Sequence, residues 1–211
     1  LGFTVDIYSR ETVSHTTSMA AGAYWWPHKA YPEERVSQWA KETYEEYGEL
    51  KTDSKAGVTF EKHFRFCIDP DQDAYALNLV DEWEAVRGAD YGIACAEAYL
   101  IVVPTIDVPK HLPYLQSLVQ SYGARIFIKK LSSPEQLFPD YDLVVNCPGI
   151  SARSFVHDRS VFPIRGQVVR ISQPTDLPGS IRIYQRQGPF TLILPRTNDC
   201  ILGGTTQESD W

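Results

Sequence analysis

The chain has 211 residues, and 20 lysines and arginines against 27 aspartates and glutamates give a formal charge of −7. A hydrophobic fraction of 43% and a charged fraction of 22% are globular values that exclude a disordered, collagenous or low-complexity chain. The acidic balance, with a pI near 5.2, speaks against a nucleic-acid or anionic-membrane surface as the main business of the molecule.

In chain order, Phe3 to Ser9 alternates apolar and polar residues and predicts a strand; Arg10 to Ser18 is a polar loop. Pro32-Glu33-Glu34 opens a helix, with proline and acids where an N-terminus favours them. Val36, Trp39, Ala40, Tyr44 and Tyr47 give that helix one apolar face, and Gly48 is its expected stop. Val58 to Ile68 and Tyr99 to Val103 read as strands. Leu112, Leu115, Leu118, Val119 and Tyr122 form a helical stripe ended by Gly123. Ile126 to Ile128 is a short strand. Leu143 to Cys147 is continuous and apolar, the pattern of a strand buried on both faces. Gln167 to Ile171, Ile181 to Tyr184, Phe190 to Leu194 and Cys200 to Leu202 are further strands, separated by Pro and Gly turns.

The expected fold class is therefore α/β (α+β mixed), an α/β nucleotide-binding layer interleaved with a mixed or antiparallel sheet. Four scattered cysteines, Cys67, Cys95, Cys147 and Cys200, form no C-x-x-C pair and read as free, buried thiols of a reducing compartment. His63 and Cys67 lie on a strand-like run and lack a further ligand pair, so no metal site is expected. The chain opens on Leu1, without an initiator Met and without a signal-peptide pattern, and so is expected to start inside a larger protein.

The densest signal is His15-Thr16-Thr17-Ser18-Met19-Ala20-Ala21-Gly22-Ala23-Tyr24-Trp25-Trp26-Pro27. Small residues let backbone approach a flat ligand, and hydroxyls beside free N–H groups suit phosphate and ribose oxygens. The same Ala-Ala-Gly also serves a tightly packed turn, and the two tryptophans serve a core. This stretch resembles the T-T-S-x-x-A-A-G-x-W-W-P segment of the D-amino-acid oxidase family of FAD-dependent oxidoreductases. Four further segments agree in the same order: Pro104 to Asp107 with Leu112 to Leu115; Asp142 to Gly149; Pro163 to Gln167; and Leu194-Pro195-Arg196 with Leu202 to Gln207.

The resemblance implies a partial Rossmann-like FAD-binding domain (1–50 and 105–165) interleaved with a mixed or antiparallel-sheet substrate domain (51–104 and 166–211). It implies FAD as cofactor and a D-amino acid and dioxygen as substrates. The D-amino acid is oxidised to an imino acid as FAD takes the hydride, and hydrolysis then gives a 2-oxo acid and ammonia. Dioxygen regenerates FAD and leaves as hydrogen peroxide. Carried over position by position, Ser9 and Arg10 fall at the adenosine ribose, with Glu11 the nearest acid. Thr16 and Thr17 fall on the pyrophosphate side, and Ala21, Gly22 and Ala23 against the flavin ring. Lys130 and Leu131 flank adenine, and Cys147, Pro148 and Gly149 form the turn over the cofactor. Pro148 stands where the family has Thr, losing a hydroxyl and an N–H. Tyr184 is the phenol nearest the family's active-site tyrosine, and a surface-strand tyrosine is the alternative.

The family's G-x-G-x-x-G element is expected before Leu1 and its carboxylate-binding arginine after Trp211. Three explanations stay open: a fragment, a homodimer or second chain that supplies the missing ends, or a truncated, flavin-free relative with an interaction or regulatory role. The isolated 211 residues are expected to bind FAD poorly. Glycine and sarcosine oxidases share the implied architecture. No nucleic-acid or membrane partner is expected, and the compartment is expected to be intracellular, cytoplasmic or peroxisomal.

Overall fold

The computed structural model describes residues 2–27, 32–66, 75–95, 98–175, 180–183 and 191–209. Helix and sheet are mixed, as expected. The largest element is an eight-stranded sheet. Its strands are β2 (Ala23–Tyr24), β3 (Val58–Phe66), β4 (Glu82–Val86), β5 (Ala98–Ile106), β8 (Val168–Ser172), β9 (Ser180–Ile183), β10 (Thr191–Pro195) and β11 (Asp199–Gly203), running β2-β5-β3-β9-β10-β11-β8 with β4 beside β5. All its described pairings are antiparallel except β3 with β9, where His63 to Phe66 face Ser180 to Ile183. That one parallel seam joins an N-terminal half to a C-terminal half.

Apart from it stands a parallel pair, β1 (Asp6–Ser9) with β6 (Arg125–Ile128), in register from Asp6↔Arg125 to Ser9↔Ile128. A third pair, β7 (Ile164–Arg165) with β12 (Gln207–Glu208), is antiparallel.

Two long helices flank these strands. Helix α1 (Glu33–Leu50) begins as expected at Pro32, whose carbonyl accepts from Val36 N–H at 3.0 Å. It runs through Gly48, because a glycine without a left-handed conformation weakens a helix without stopping it. Val36 and Tyr44 are buried and Ala40 and Tyr47 pack on the core, but Trp39 is 53% exposed, at the flank of the face it was expected to join. Helix α2 (Val108–Ser121) buries Val108 and His111 and carries Pro113 one turn in. Its expected stripe is half-buried, and Tyr122 lies beyond its end, exposed.

The sheet has its own core. Trp25, Tyr44, Leu77, Val80, Ile101 and Val103 form one cluster; Phe64, Phe66 and Ala98 a second; Leu192, Leu194 and Ile201 a third. Each fully buried aliphatic among them contributes about 1.5–3 kcal/mol.

Further expectations fail. Leu143 to Cys147 is irregular, not a strand, and Leu143 and Val145 are 70% and 75% exposed. Its composition suits a central parallel strand, but no described strand pairs with it. Strand β4 is not among the strands the sequence predicts: its Glu-Trp-Glu-Ala-Val run is short, carries two glutamates and is exposed at four of its five residues. Of the thiols, Cys200 is buried, Cys95 half-buried and Cys147 exposed; Cys67 lies outside the described residues. A short helix α3 (Ala152–Phe155) follows the turn at Gly149. No helix among the described residues is long and apolar enough to cross a membrane.

Candidate functional site

A cleft of about 380 Å³ opens where the chain entering β2 meets the C-terminal half of the sheet. Its walls are Thr17 and Ala20 to Gly22 on one side, and Gly166 to Val168 with Gly204 to Thr206 on the other. Tyr24, Trp26 and Leu192 complete it.

The first wall is built by local hydrogen bonding. Two single-turn 3-10 segments, Val13–His15 and Thr17–Ala20, succeed each other where an unstructured polar loop was expected. Thr16 joins them, its hydroxyl donating to Val13 O at 2.8 Å, so that hydroxyl is spent locally. Ala21 is tied down from the end of β10: Arg196 Nη1 donates to its carbonyl at 3.1 Å. Arg196 is in turn held by Asp199 through a two-pronged pair at 2.6 and 2.7 Å. That pairing raises the arginine's pKa and holds the Asp199 carboxyl below the usual carboxylate range, chiefly through the hydrogen bonds between them.

Gly22 is required here, but its bare face is turned toward protein. A Cβ on it would lie 2.8 Å from Leu194 Cδ2 and 3.2 Å from Ile201 Cγ2. The backbone is thus pressed flat onto the C-terminal half of the sheet, and its edge borders the cleft. The two tryptophans divide their roles. Trp25 is core, its ring 5.0 Å from that of Tyr44 and its Nε1 donating to Ala40 O at 3.0 Å; Trp26 lines the cleft.

The second wall is zipped to itself. Gln167 N–H donates to Thr205 Oγ1 at 2.9 Å, and β7 pairs with β12 just beyond.

Of the residues expected at the site, Thr17, Ala21 and Gly22 line the cleft, whereas Ala23 is the first residue of β2, paired with Ile106. Ser9, Arg10, Lys130 and Leu131 gather elsewhere, at the carboxyl ends of the parallel pair β1–β6, the end where open α/β sheets bind ligands. There Lys129 N–H donates to Ser9 O at 2.8 Å, and Ser9 Oγ donates to Glu11 O at 2.7 Å. Arg10 is exposed and paired with Glu11 at 2.9 Å. Cys147 is an exposed thiol; Pro148 precedes a single 3-10 turn, and Gly149 has φ of +56°, a left-handed conformation that favours glycine. None of these three lines the cleft. Tyr184 lies outside the described residues.

Sequence reading missed Tyr24, Trp26 and Leu192 as wall residues, and Gly166 to Val168 and Gly204 to Thr206. The last two groups fall in or beside the P-x-R-G-Q and L-G-G-T-x-Q segments, so the signal was present but carried no assigned role. Behind the wall, Arg65 and His63 are wholly buried, with Arg65 Nη1 donating to the Tyr24 hydroxyl at 3.0 Å. Burial, and then the charge of Arg65, push His63 down to about 3, so it is neutral at physiological pH.

Known proteins match this chain along its whole length. The family profile described as FAD dependent oxidoreductase matches residues 1–211. A D-amino-acid oxidase of Rubrobacter xylanophilus is 34% identical over 211 residues, covering 100% of this chain and 64% of that protein. A D-amino-acid oxidase of Streptomyces coelicolor is 30% identical over 215 residues, covering 100% and 65%. The chain thus spans just under two thirds of the length of these relatives. A glycine oxidase crystal structure from Geobacillus kaustophilus superposes with a TM-score of 0.68 at 13% identity, over 99% of this chain and 66% of that one. At that identity the likeness is one of fold.

Proposed function

We propose a function from one premise: the chain belongs to the family of FAD-dependent oxidoreductases, whose profile covers it from end to end. Within that family it belongs with amino acid oxidases, and our reading is that the complete protein oxidises a D-amino acid to the imino acid, which water converts to a 2-oxo acid and ammonia.

The observation that carries this reading is the shape and chemistry of the cleft. The residues present fit a flat ring system: backbone and small side chains at Ala20 to Gly22 and Gly204 to Thr206, with aromatic and aliphatic faces from Tyr24, Trp26 and Leu192. Thr17 and Thr206 add hydroxyls at the rim. The ribose and adenine end of FAD would fall to Ser9, Arg10, Lys130 and Leu131 at the carboxyl ends of β1 and β6. When bound, FAD supplies a two-electron acceptor that dioxygen can reoxidise to give peroxide.

The chain's own contribution is orientation and exclusion of water. Val168, Leu192, Tyr24 and Trp26 make the interior apolar, and Arg196 fixes the Ala21 carbonyl, so the wall does not yield when a ring is laid against it. Tyr24 is the one titratable side chain among the described residues lining the cleft. This suits a substrate whose amine enters neutral and so needs no protein base.

The test is expression of the complete reading frame, with its visible spectrum and its peroxide output measured on D-alanine, D-aspartate, glycine, sarcosine and L-alanine. Flavin absorbance with peroxide from a D-amino acid is the expected result. A colourless protein supports the flavin-free alternative, and turnover confined to glycine and sarcosine places it in the other branch of the family.

A further inference from the structure

We propose that Arg65 is a positioning residue for the cleft: from behind the wall it sets the angle of Tyr24 and Trp26, the two aromatic side chains that face the ring-binding space. The inference rests on the flavoprotein reading above.

Arg65 is the penultimate residue of β3 and is 0% exposed, yet it does not line the cleft. Its guanidinium makes two different contacts with the two aromatic walls. One edge donates to the Tyr24 hydroxyl at 3.0 Å, and its face lies over the Trp26 ring with the central carbon 3.9 Å from the ring centroid. A planar cation does both at once, edge to the hydroxyl and face to the ring, whereas an ammonium is a compact point charge with no face to lay on the indole.

His63, two residues earlier and so on the same face of β3, completes the grip. Its ring lies 4.6 Å from that of Tyr24, tilted by 30°. Thr105 Oγ1 is 2.7 Å from His63 Nε2, and Ser180 Oγ is hydrogen-bonded to His63 Nδ1. Thr105 is also the register partner of Tyr24 between β2 and β5. Tyr24 is therefore held at its backbone by β5, at its ring by His63 and at its hydroxyl by Arg65.

Burying a guanidinium is costly, and apolar residues of similar volume commonly serve packing as well or better. A buried arginine placed one side chain behind a ligand cleft, touching both of its aromatic walls, serves geometry. Its loss should therefore be read at the ligand and not only in stability.

The experiment compares R65M, R65K, Y24F, the double variant R65M/Y24F and a control, F66L, in the enzyme expressed from the complete reading frame. Phe66 is buried on the same strand but packs with Phe64 and Ala98 and lines no part of the cleft. The readouts are the FAD dissociation constant and the visible circular dichroism of bound flavin. R65M should weaken FAD binding about tenfold and alter the dichroism, and Y24F should weaken it about threefold, since each loses a hydrogen bond to a charged donor. The double variant should match R65M within about twofold because the second change removes a bond already lost. R65K should fall between R65M and wild type, while F66L should lower stability and leave FAD affinity alone. FAD affinity unchanged in R65M, additive losses in the double variant, or an equal loss in F66L overturns the proposal. If R65M does not fold, Y24F against F66L decides on the same terms. A wild-type enzyme that binds no FAD sinks the functional reading and this inference with it; a flavin-loaded wild type with an indifferent R65M sinks this inference alone.

Discussion

The eight-stranded sheet and the parallel pair β1–β6 are held together in opposite ways. In the sheet, Ile101, Val103, Leu194 and Ile201 are 0% exposed and hydrophobic burial carries the energy. In the parallel pair, Phe127 and Ile128 are exposed, and the contacts that hold it are polar and aromatic: Arg125 grips Asp6 at 2.6 and 2.7 Å, Tyr141 donates to the same carboxylate, and Tyr8 stacks on Phe127 at 5.1 Å. Parallel strands normally lie buried on both faces, and an isolated pair of strands has little stability of its own. The difference teaches where the cleft gets its rigidity: Gly22 and Tyr24 are fastened to the sheet, not to the parallel pair.

Four experiments break or sharpen this contrast. The largest effect is expected from Ile101→Ala, which should cost about 2–5 kcal/mol in denaturant unfolding, where Ile128→Ala at the exposed end of β6 should change stability by less than about 1 kcal/mol. Equal costs would erase the distinction between the regions. Acid comes next. His63 has a folded pKa of about 3 against an ordinary value near 6.5, so the unfolded chain binds its proton first. Its contribution is complete above pH 6.5 and should drain away as pH falls toward 3, and a His63→Gln variant should show a flatter acid limb in a stability profile over that window. Third, Gly22→Ala should cost about 1–3 kcal/mol because the new methyl must displace Leu194 Cδ2 and press on Ile201; a neutral result would mean that the backbone entering β2 does not lie as close as described. The smallest and most local effect is expected from Asp6→Asn. The carboxyl of Asp6 is held below its usual range by its hydrogen bonds to Arg125 and then Tyr141, and losing that charge should speed amide exchange in β1 and β6 while leaving β3 and β5 protected.

Much of this was legible from residue order. The proline and acids at 32–34, the alternation from Val58 onward and the glycine-spaced strands after Gln167 are local signals, and the elements they mark are present. Leu143 to Cys147 misled because an apolar run states only that a segment could be buried; whether a neighbour exists is a tertiary fact. At the site, small residues at 20–22 pointed to the cleft, but the reason for Gly22 was hidden, since its tight neighbours are Leu194 and Ile201, far along the chain. Arg65 and His63 were invisible as a pair for the same cause. Their shared strand face could be read, but the tyrosine they grip arrives from residue 24 through pairing with β5.

The parallel seam between β3 and β9 has a consequence in time. Phe66 and Ser180, the last residue of β3 and the first of β9, are 180 − 66 = 114 positions apart. At a synthesis rate of about 5–20 residues per second, β3 waits roughly 6–23 seconds on the ribosome before its second neighbour is made. During that interval His63 and Arg65 sit beside an unpaired backbone edge, so a nascent chain arrested before residue 180 should bind chaperones that hold extended segments, and one arrested well past residue 183 should release them.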